Sequence, residues 1–361
     1  MKGEKKMSEK VLMKGNEAIA EAAIMAGCRH YFGYPITPQT EVAAYMSKRM
    51  PKIDGVFLQA ESEIAAINMV IGVASTGKRV MTSSSSPGIA LKSEGLSYLA
   101  GCDLPALVVN VQRGGPGLGG IQPSQSDYFH ATRGAGHGDF HMIVLAPASV
   151  QEMVNLTFKG FDLAEKYRMT SMLLSDGTMG QMMEPVSLEA EEIKEYDKSW
   201  ALTGTGMKRK HNIVNSLFLK PDELEQFNFD RYAKYKTVEE NEAMFEEYKM
   251  EDAEICIVAF GVASRVSRNA IDEARKQGIK VGMIRPITLW PFPKKALEAA
   301  AKKVKAFVSV ELSMGQMVED IELATKCTRP VLLCNRVGGM IPTTKNVLDK
   351  IIEADKTGGA L

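Results

Sequence analysis

The sequence predicts an α/β protein built from two doubly wound parallel-sheet domains. Short β-rich runs alternate with helical patterns through the first half of the chain, and the alternation restarts after a polar stretch that ends near residue 252. Apolar strands in repeated β-α-β order are typical of a parallel sheet with helices on both faces. The length of 361 residues also exceeds what one hydrophobic core usually organises, so we expect two domains and a connector.

The first predicted domain covers residues 11–185. Asn16 is predicted to be the N-cap of its first helix. We predict strands at 30–34, 56–59, 80–83, 106–112, 142–145 and 172–175, and helices at 17–26, 39–49, 63–76, 88–100 and 150–167.

Residues 186–252 are polar and charged, with a basic run at 208–210 and a glutamate-rich stretch at 239–251, and they predict a connector that carries some helix. The second predicted domain covers residues 253–361. We predict its strands at 255–260, 281–284, 306–310 and 331–335, and its helices at 265–277, 293–304, 317–327 and 344–354.

The composition excludes several classes of function. The chain has 44 basic and 44 acidic residues, so no basic face is expected for nucleic acid, and an anionic ligand has to be held by local positive groups. The first ten residues lack the apolar run of a signal peptide, and no run of about 18 apolar residues occurs. We therefore expect a cytoplasmic protein with neither a nucleic-acid nor a membrane partner.

The cysteines indicate that this chain holds no iron–sulfur cluster. Five are present, they are scattered, and no C-x₂-C spacing occurs. We predict that all five, at positions 28, 102, 256, 327 and 334, are reduced core residues. Any one-electron chemistry then requires another chain to carry the electrons.

Polar and glycine-rich loops follow four predicted strands of the first domain. They read YPITPQT at 34–40, QAESE at 59–63, SSSSPG at 83–88 and QRGGPGLGG at 112–120. Ligands of open α/β sheets bind at the carboxyl ends of the strands, so we expect these four loops to meet at one rim.

The glycine loop contains a formal G-x-G-x-x-G pattern at Gly115, Gly117 and Gly120. A dinucleotide fingerprint requires a helix that begins at the loop, whereas the segment 121–126 is predicted to be extended. We therefore reject a nicotinamide dehydrogenase. The glycines instead indicate backbone close to a ligand or a neighbouring chain, with a flexible surface loop as the alternative.

Two residues at the ends of strands are candidates for chemistry. The guanidinium of Arg113 could hold a planar carboxylate through two parallel hydrogen bonds, with a structural ion pair as the alternative. Glu61 is either a first-turn carboxylate favoured by the helix dipole or a functional acid.

A histidine-rich segment does not predict a metal site, because its spacing matches no closed zinc pattern. Its potential ligands are His130, His137, His141, Asp127 and Asp139.

Five short motifs occur in a characteristic order: YPITP at 34–38, ESEIAAINMVIG at 61–72, SPG at 86–88, QRGGP at 112–116 and GHGD at 136–139. In this order they resemble the pyrimidine-binding, alpha-type subunit of 2-oxoacid:ferredoxin oxidoreductases. The segment from residue 253 resembles the transketolase C-terminal-type domain of the same subunit. The resemblance implies a thiamine-diphosphate-binding fold of the pyrimidine type, followed by a transketolase C-terminal-like domain.

The resemblance also implies catalytic roles. A glutamate at the position of Glu61 bonds N1′ of the thiamine aminopyrimidine and favours the tautomer that takes the proton from the thiazolium C2. Residues at the positions of Thr37 and Arg113 contact the 2-oxoacid. The implied reaction is oxidative decarboxylation to an acyl-coenzyme A, with electrons passed singly to iron–sulfur clusters. The other implied contacts are Pro35 and Ile36 to the substrate and Ser86 and Gly88 to the cofactor.

Partner subunits are implied as well. The chain lacks the Gly-Asp-Gly…Asn signature that holds the diphosphate through a divalent cation, and it lacks a cysteine-rich domain or room for a fused gamma-type domain. We therefore expect thiamine diphosphate to be shared with a thiamine-diphosphate-binding beta subunit that holds Mg²⁺. A gamma subunit and a ferredoxin-like subunit with the iron–sulfur clusters complete a dimer of hetero-oligomers that reduces external ferredoxin.

The glycine loop at 114–119 resembles the branched-chain version of the enzyme, which acts on 3-methyl-2-oxobutanoate. The alternatives are 2-oxoglutarate and pyruvate, and 2-oxoglutarate requires a second cation, for which Arg133 and His137 are candidates. A noncatalytic assembly scaffold is an alternative of another class. Thr37, Glu61 and Arg113 argue against it, because a scaffold has no need for three polar groups in ligand-facing loops.

Overall fold

The computed structural model describes residues 10–189 and 192–358, which form an α/β protein with two main sheets. The strands in chain order are β1 (Val11–Lys14), β2 (His30–Gly33), β3 (Val56–Gln59), β4 (Val80–Ser84), β5 (Ala106–Gln112), β6 (Ile143–Leu145), β7 (Thr170–Asp176), β8 (Met183–Val186), β9 (Phe245–Tyr248), β10 (Ile255–Ala259), β11 (Val281–Pro286), β12 (Thr288–Trp290), β13 (Ala306–Glu311) and β14 (Val331–Asn335).

The α-helices alternate with these strands and cover the sheets. In chain order they are α1 (Gly15–Met25), α2 (Thr40–Arg49), α3 (Glu63–Ala74), α4 (Ser86–Leu91), α5 (Ser93–Gly101), α6 (Tyr128–Arg133), α7 (Val150–Tyr167), α8 (Gly177–Gln181), α9 (Pro221–Asn241), α10 (Gly261–Lys276), α11 (Lys294–Ala301), α12 (Met317–Ala324) and α13 (Thr344–Thr357). In the described part of the chain, no helix is both long and apolar enough to cross a membrane.

The first sheet has the strand order β12-β6-β7-β5-β4-β2-β3. Every neighbouring pair is parallel except β12 with β6. β5, β4, β2 and β3 are therefore consecutive and parallel, and the loops that follow them emerge at one rim, as the sequence predicts.

The second sheet has the order β14-β13-β10-β11-β9, with β9 antiparallel at its edge. β9 comes from the predicted connector at 186–252, whereas β12, from the predicted second domain, pairs with β6 in the first sheet. Each main sheet thus receives a strand from across the predicted boundary at 252/253. β1 and β8 form a separate antiparallel pair.

The structure corrects two predictions about helices. The helix predicted at 88–100 is divided into α4 and α5 at Lys92. Asn16 is not an N-cap, because α1 begins at Gly15 and the extended N-cap residue is Lys14. The Asn16 amide instead donates to the Pro38 carbonyl at 2.8 Å and the Glu41 carboxylate at 2.9 Å. It ties α1 to the loop that contains Thr37.

The prediction that all cysteines lie in the core is wrong for Cys327. All five are free, and those at 28, 256 and 334 are buried, but Cys327 is exposed. It lies beyond the end of α12 with a left-handed backbone φ of 53°, in a turn that brings its side chain to the surface.

Reciprocal hydrogen bonds beside the rim join the first domain to the second. The backbone N–H of Gln125 donates to the Leu312 carbonyl at 2.9 Å, and Leu312 N–H donates to the Gln125 side-chain oxygen at 3.0 Å. The Gln125 amide also donates to the Phe260 carbonyl at 2.9 Å. The second domain therefore fixes the segment that follows the glycine loop.

Candidate active site

Arg113 lies at the centre of the rim and contacts two of its loops. Its side chain is buried, with an exposed fraction of 7%. The guanidinium donates to the Thr37 carbonyl at 3.0 Å and to the Leu118 carbonyl at 3.1 Å, and its Nε has no partner among the described residues. In the same part of the chain no carboxylate forms an ion pair with Arg113, so the described structure gives the ion-pair alternative no support.

Ser86 connects the beginning of α4 to the end of β5. Its hydroxyl accepts from the Arg113 backbone N–H at 3.0 Å and donates to Asp127 Oδ2 at 2.6 Å. The Asn110 amide donates to the same Asp127 oxygen at 2.9 Å. These bonds fix the backbone that carries the Arg113 side chain.

A cavity of about 610 Å³ opens beside Arg113, between the two domains. Ser86, Asp127 and the first glycines of the loop at 114–117 line one side, while Met314 and Gly338 of the second domain line the other. The second domain therefore forms one wall of the candidate site.

A buried hydrogen-bonded chain shapes the loop that carries Thr37. The Tyr31 hydroxyl lies 2.7 Å from Ser83 Oγ, which donates to the Gln39 side-chain oxygen at 2.6 Å. The Gln39 amide donates to the Tyr34 carbonyl at 3.2 Å. Because these three side chains are buried, they fix the loop from below, while Thr37 and Pro35 are exposed and Ile36 is half-buried above it.

The two glutamates of the ESE motif have different environments. Glu61 is exposed and precedes Ser62, whose hydroxyl caps α3 by accepting from the Ala65 N–H at 3.1 Å. Glu61 is therefore outside the helix, and the first-turn interpretation of this residue is wrong. The first-turn acid is Glu63, which is buried with an exposed fraction of 5%.

Glu63 faces the SPG motif and a buried lysine. A Cβ atom added to Gly88 would lie 2.5 Å from Glu63 Oε1 and would overlap Ser84 Oγ, so only glycine fits there. The Lys92 ammonium donates to Thr82 Oγ1 at 3.0 Å and to the Glu63 carbonyl at 3.5 Å. The site thus brings Glu63, Gly88 and Lys92 together, whereas Glu61 has no hydrogen bond or ion pair among the described residues.

Sequence reasoning missed Glu63 and Lys92, although helical periodicity contained a signal for the first. Glu63 belongs to the buried stripe of α3, which repeats every three or four residues, whereas position 61 lies outside the helix. The other members of the stripe are Ala66, Ile67, Val70 and Ala74.

Arg133, His137 and His141, which the sequence singled out, are not among the described residues that line the cavity beside Arg113. Arg133 forms ion pairs with Glu319 at 2.9 Å and Asp320 at 2.8 Å in the second domain, so it is not a free cation. His137 is exposed. His141 stacks on Trp290 with ring centroids 4.8 Å apart. Over residues 10–189 and 192–358, no three histidine, cysteine or acidic side chains are grouped as a metal site requires.

Two family models match the chain. The model for the thiamine-diphosphate-binding part of pyruvate flavodoxin/ferredoxin oxidoreductase matches residues 21–250, and the model for core domain II of pyruvate:ferredoxin oxidoreductase matches residues 253–347. The chain belongs to the pyruvate flavodoxin/ferredoxin oxidoreductase family. The resemblance drawn from the five motifs is therefore confirmed, and so is the expected fold class.

Named relatives and a solved structure agree with this assignment. The ketoisovalerate oxidoreductase subunit VorB of Methanothermobacter marburgensis is 51% identical over 95% of this chain and 97% of its own length. The 2-oxoglutarate synthase subunit KorA of Methanothermobacter thermautotrophicus is 32% identical over 97% of this chain and 100% of its own length. The 2-oxoglutarate:ferredoxin oxidoreductase of Magnetococcus marinus, solved with 2-oxoglutarate, coenzyme A and succinyl-CoA bound, superposes with a TM-score of 0.85 at 29% identity.

The match to the Magnetococcus marinus enzyme covers 96% of this chain but 65% of that chain, so its matched polypeptide is substantially longer. A split-gene transketolase, in an inactive tetramer, superposes with a TM-score of 0.60 at 13% identity over 95% of this chain and 98% of that one. At this identity the likeness shows the fold alone.

Proposed function

We propose that this chain is the alpha-type subunit of a coenzyme A-acylating 2-oxoacid:ferredoxin oxidoreductase that acts on 3-methyl-2-oxobutanoate. The observation that carries the proposal is the buried Arg113 guanidinium, which donates to the backbone carbonyls of Thr37 and Leu118 and has no carboxylate partner among the described residues. Burying a cation without a counter-charge is costly. The carboxylate of a 2-oxoacid supplies that charge, and the Thr37 hydroxyl lies in the same loop to contact the 2-oxo oxygen.

The first turn of α3, at the rim, offers a buried carboxyl group to the aminopyrimidine of thiamine diphosphate. When bound, this cofactor supplies a carbon nucleophile at its thiazolium C2. The chain has to place a carboxyl group at N1′ of the pyrimidine. The motif assigned that role to Glu61, but burial beside Gly88 favours Glu63, because a desolvated carboxyl forms stronger hydrogen bonds than one that stays hydrated.

Five large apolar side chains are exposed on β3, α3 and the α4–α5 region, and this surface supports a partner subunit that shares the cofactor. Large exposed apolar areas on a protein usually mark a place where another molecule binds. We propose that a beta subunit covers this surface and holds the diphosphate with Mg²⁺, and that a gamma subunit and a ferredoxin-like subunit with iron–sulfur clusters complete the complex. The exposed residues along β3, α3 and the α4–α5 region are Val56, Leu58, Ile64, Leu91 and Tyr98.

The surroundings of Arg113 favour an apolar substrate side chain. Leu118 lies in the glycine loop and Ile121 follows it, and the two residues are exposed by 84% and 56%. Arg133, the candidate partner for the distal carboxylate of 2-oxoglutarate, is already paired with two carboxylates. The name of the VorB relative, a ketoisovalerate oxidoreductase subunit, supports the same choice. We propose coenzyme A as the acyl acceptor, since the Magnetococcus marinus enzyme was solved with it.

The test uses the complex that copurifies with this chain. Initial rates with 3-methyl-2-oxobutanoate, 2-oxoglutarate and pyruvate are measured with coenzyme A and a viologen acceptor. We expect the highest kcat/KM for the branched-chain acid. A preference for another 2-oxoacid would refute the substrate assignment, and a complex that neither binds thiamine diphosphate nor reduces the viologen would support the scaffold alternative.

A further inference from the structure

Lys92 is a buried cation at the break between α4 and α5. Its side chain is completely inaccessible to solvent. Its short hydrogen bond goes to the Thr82 hydroxyl at 3.0 Å, and the Glu63 carbonyl is at 3.5 Å. Burial lowers the pKa of Lys92 to about 8, and the negative charge of Glu63 partly offsets this shift.

The environment of the Lys92 ammonium differs from that of the buried Arg79 guanidinium. Arg79 is also buried, but its guanidinium forms ion pairs of 2.8 Å with both Glu165 and Asp162. Lys92 forms no ion pair within 4.0 Å among the described residues, and the negative charge that acts on it through space is that of Glu63. A buried ammonium in such surroundings destabilises the fold, so its presence requires another reason.

Polar side chains of β4 lie beside Lys92 and Glu63. The Ser84 hydroxyl is buried and has no hydrogen-bond partner among the described residues. Thr82 and Ser84 alternate along β4 and lie on the same face as Glu63 and Gly88. A buried hydroxyl without a partner, beside two buried charged side chains, calls for an explanation such as a catalytic role or a bound water or ligand.

We propose that Lys92 is a positioning residue, whose ammonium balances the charge of the Glu63 carboxylate and holds it at the place where the aminopyrimidine binds. The inference rests on the proposed function, since it assumes that Glu63 faces the cofactor. Without the ammonium, the buried carboxylate is uncompensated and turns towards water or the hydroxyls of β4. Lys92 acts through Glu63 and does not itself contact the reacting atoms.

The coupling of the two charges is tested on the full chain without cofactor, by denaturant unfolding between pH 7 and 11. Because the pKa of folded Lys92, about 8, is below the ordinary 10.5, the folded state loses this proton first. The contribution of Lys92 to the free energy of unfolding therefore rises with pH from about 8 to 10.5, and it is measured as the difference between wild type and variant. Lys92→Met should abolish this rise. Glu63→Gln should move its onset to lower pH, because the attraction that retains the proton is lost.

Arg79→Met is the matched control, since it removes a buried cation whose partners are elsewhere. It should lower stability without changing the onset of the rise. An onset that Glu63→Gln leaves unchanged would overturn the proposed coupling.

The catalytic consequence is tested in the assembled complex by NMR of proton exchange at C2 of bound thiamine diphosphate. Lys92→Met should slow the exchange about 10-fold or more, whereas Lys92→Arg, which keeps the charge, should stay within about threefold of wild type. Should Lys92→Met not fold, Thr82→Val, which removes the hydroxyl that accepts from Lys92, should slow exchange about threefold.

An unchanged exchange rate in these variants would leave Lys92 with a structural role only and overturn the proposal. If instead Glu63→Gln alone had no effect on exchange, the assignment of the cofactor-activating carboxyl would fail, while the unfolding measurement would still decide whether the two charges are coupled.

Discussion

The Arg113 guanidinium donates to the backbone carbonyl of Thr37 at 3.0 Å, so the two residues predicted to contact a 2-oxoacid are directly joined. One strand end supplies the cation, and the loop after β2 supplies the hydroxyl. The position of the Thr37 loop therefore depends on Arg113, and a substitution of the arginine should affect substrate binding in two ways.

Arg113→Ala should lower kcat/KM by about 30-fold or more for every 2-oxoacid. Truncating one partner of a desolvated charge pair costs about 2 to 5 kcal/mol. Arg113→Lys should recover only part of the activity, because it keeps the charge but loses the planar fork. Steady-state kinetics with the three 2-oxoacids measure both effects.

Arg329→Ala is the control for Arg113, since Arg329 also donates to backbone carbonyls but lies in the second domain. It should leave kcat/KM unchanged. A loss below about threefold in Arg113→Ala would mean that the carboxylate is held elsewhere.

Glu63→Gln should slow proton exchange at the cofactor C2 by roughly 10² to 10⁴, a factor typical of lost acid–base catalysis. Glu61→Gln, two residues away and exposed, should change the exchange rate less than threefold. NMR of the assembled complex compares the two variants. Slow proton exchange in Glu61→Gln together with normal exchange in Glu63→Gln would restore the role that the motif assigned to Glu61.

Gly88→Ala should destabilise the chain and weaken thiamine diphosphate binding, because its Cβ overlaps Ser84 Oγ and crowds the Glu63 carboxylate. Overpacking of this kind costs about 1 to 3 kcal/mol. Gly72→Ala is the matched control, since Gly72 is an exposed residue of α3. Apart from its chain neighbours and the backbone of its own helix, no atom lies within 4 Å of the added Cβ. It should stabilise the chain by roughly 0.5 to 1 kcal/mol. Equal denaturation midpoints for the two variants would contradict the crowding at Gly88.

Leu118→Arg should change substrate ranking rather than overall activity. Leu118 is exposed on the glycine loop, and its carbonyl accepts from Arg113, so a cation placed there lies near the substrate side chain. We expect the ratio of kcat/KM for 2-oxoglutarate to that for 3-methyl-2-oxobutanoate to rise about 10-fold, within the usual worth of a new charge pair. An unchanged ratio would place the substrate side chain away from this loop.

The parallel strands could be predicted from sequence because they are apolar and fully buried. β5, for example, has the predicted bounds and is buried at every position. β9 and β12 could not be found in this way, since they are short edge strands and β12 pairs with a strand more than a hundred residues earlier in the chain. Their existence depends on tertiary contacts rather than on local pattern.

At the site, the strand-end rule located the four loops and Arg113 correctly, because parallel topology alone brings them together. Choosing Glu63 over Glu61 required the burial of the Glu63 side chain beside Gly88, because the helix was already predicted to begin at residue 63. Lys92 could not be identified from sequence, since a lysine at a helix break is normally solvated. Only the three-dimensional packing of α4, α5 and β4 reveals its burial.

The exchange of edge strands has a mechanical consequence. The chain leaves β11 at Pro286 and enters β12 at Thr288, so a single residue separates the second sheet from the first. A rotation of the second domain away from the rim therefore pulls directly on β12 and on its neighbour β6. This one-residue connection opposes a hinge opening between the domains. We therefore expect substrate and product to pass through the open mouth of the crevice rather than through a gap between separating domains.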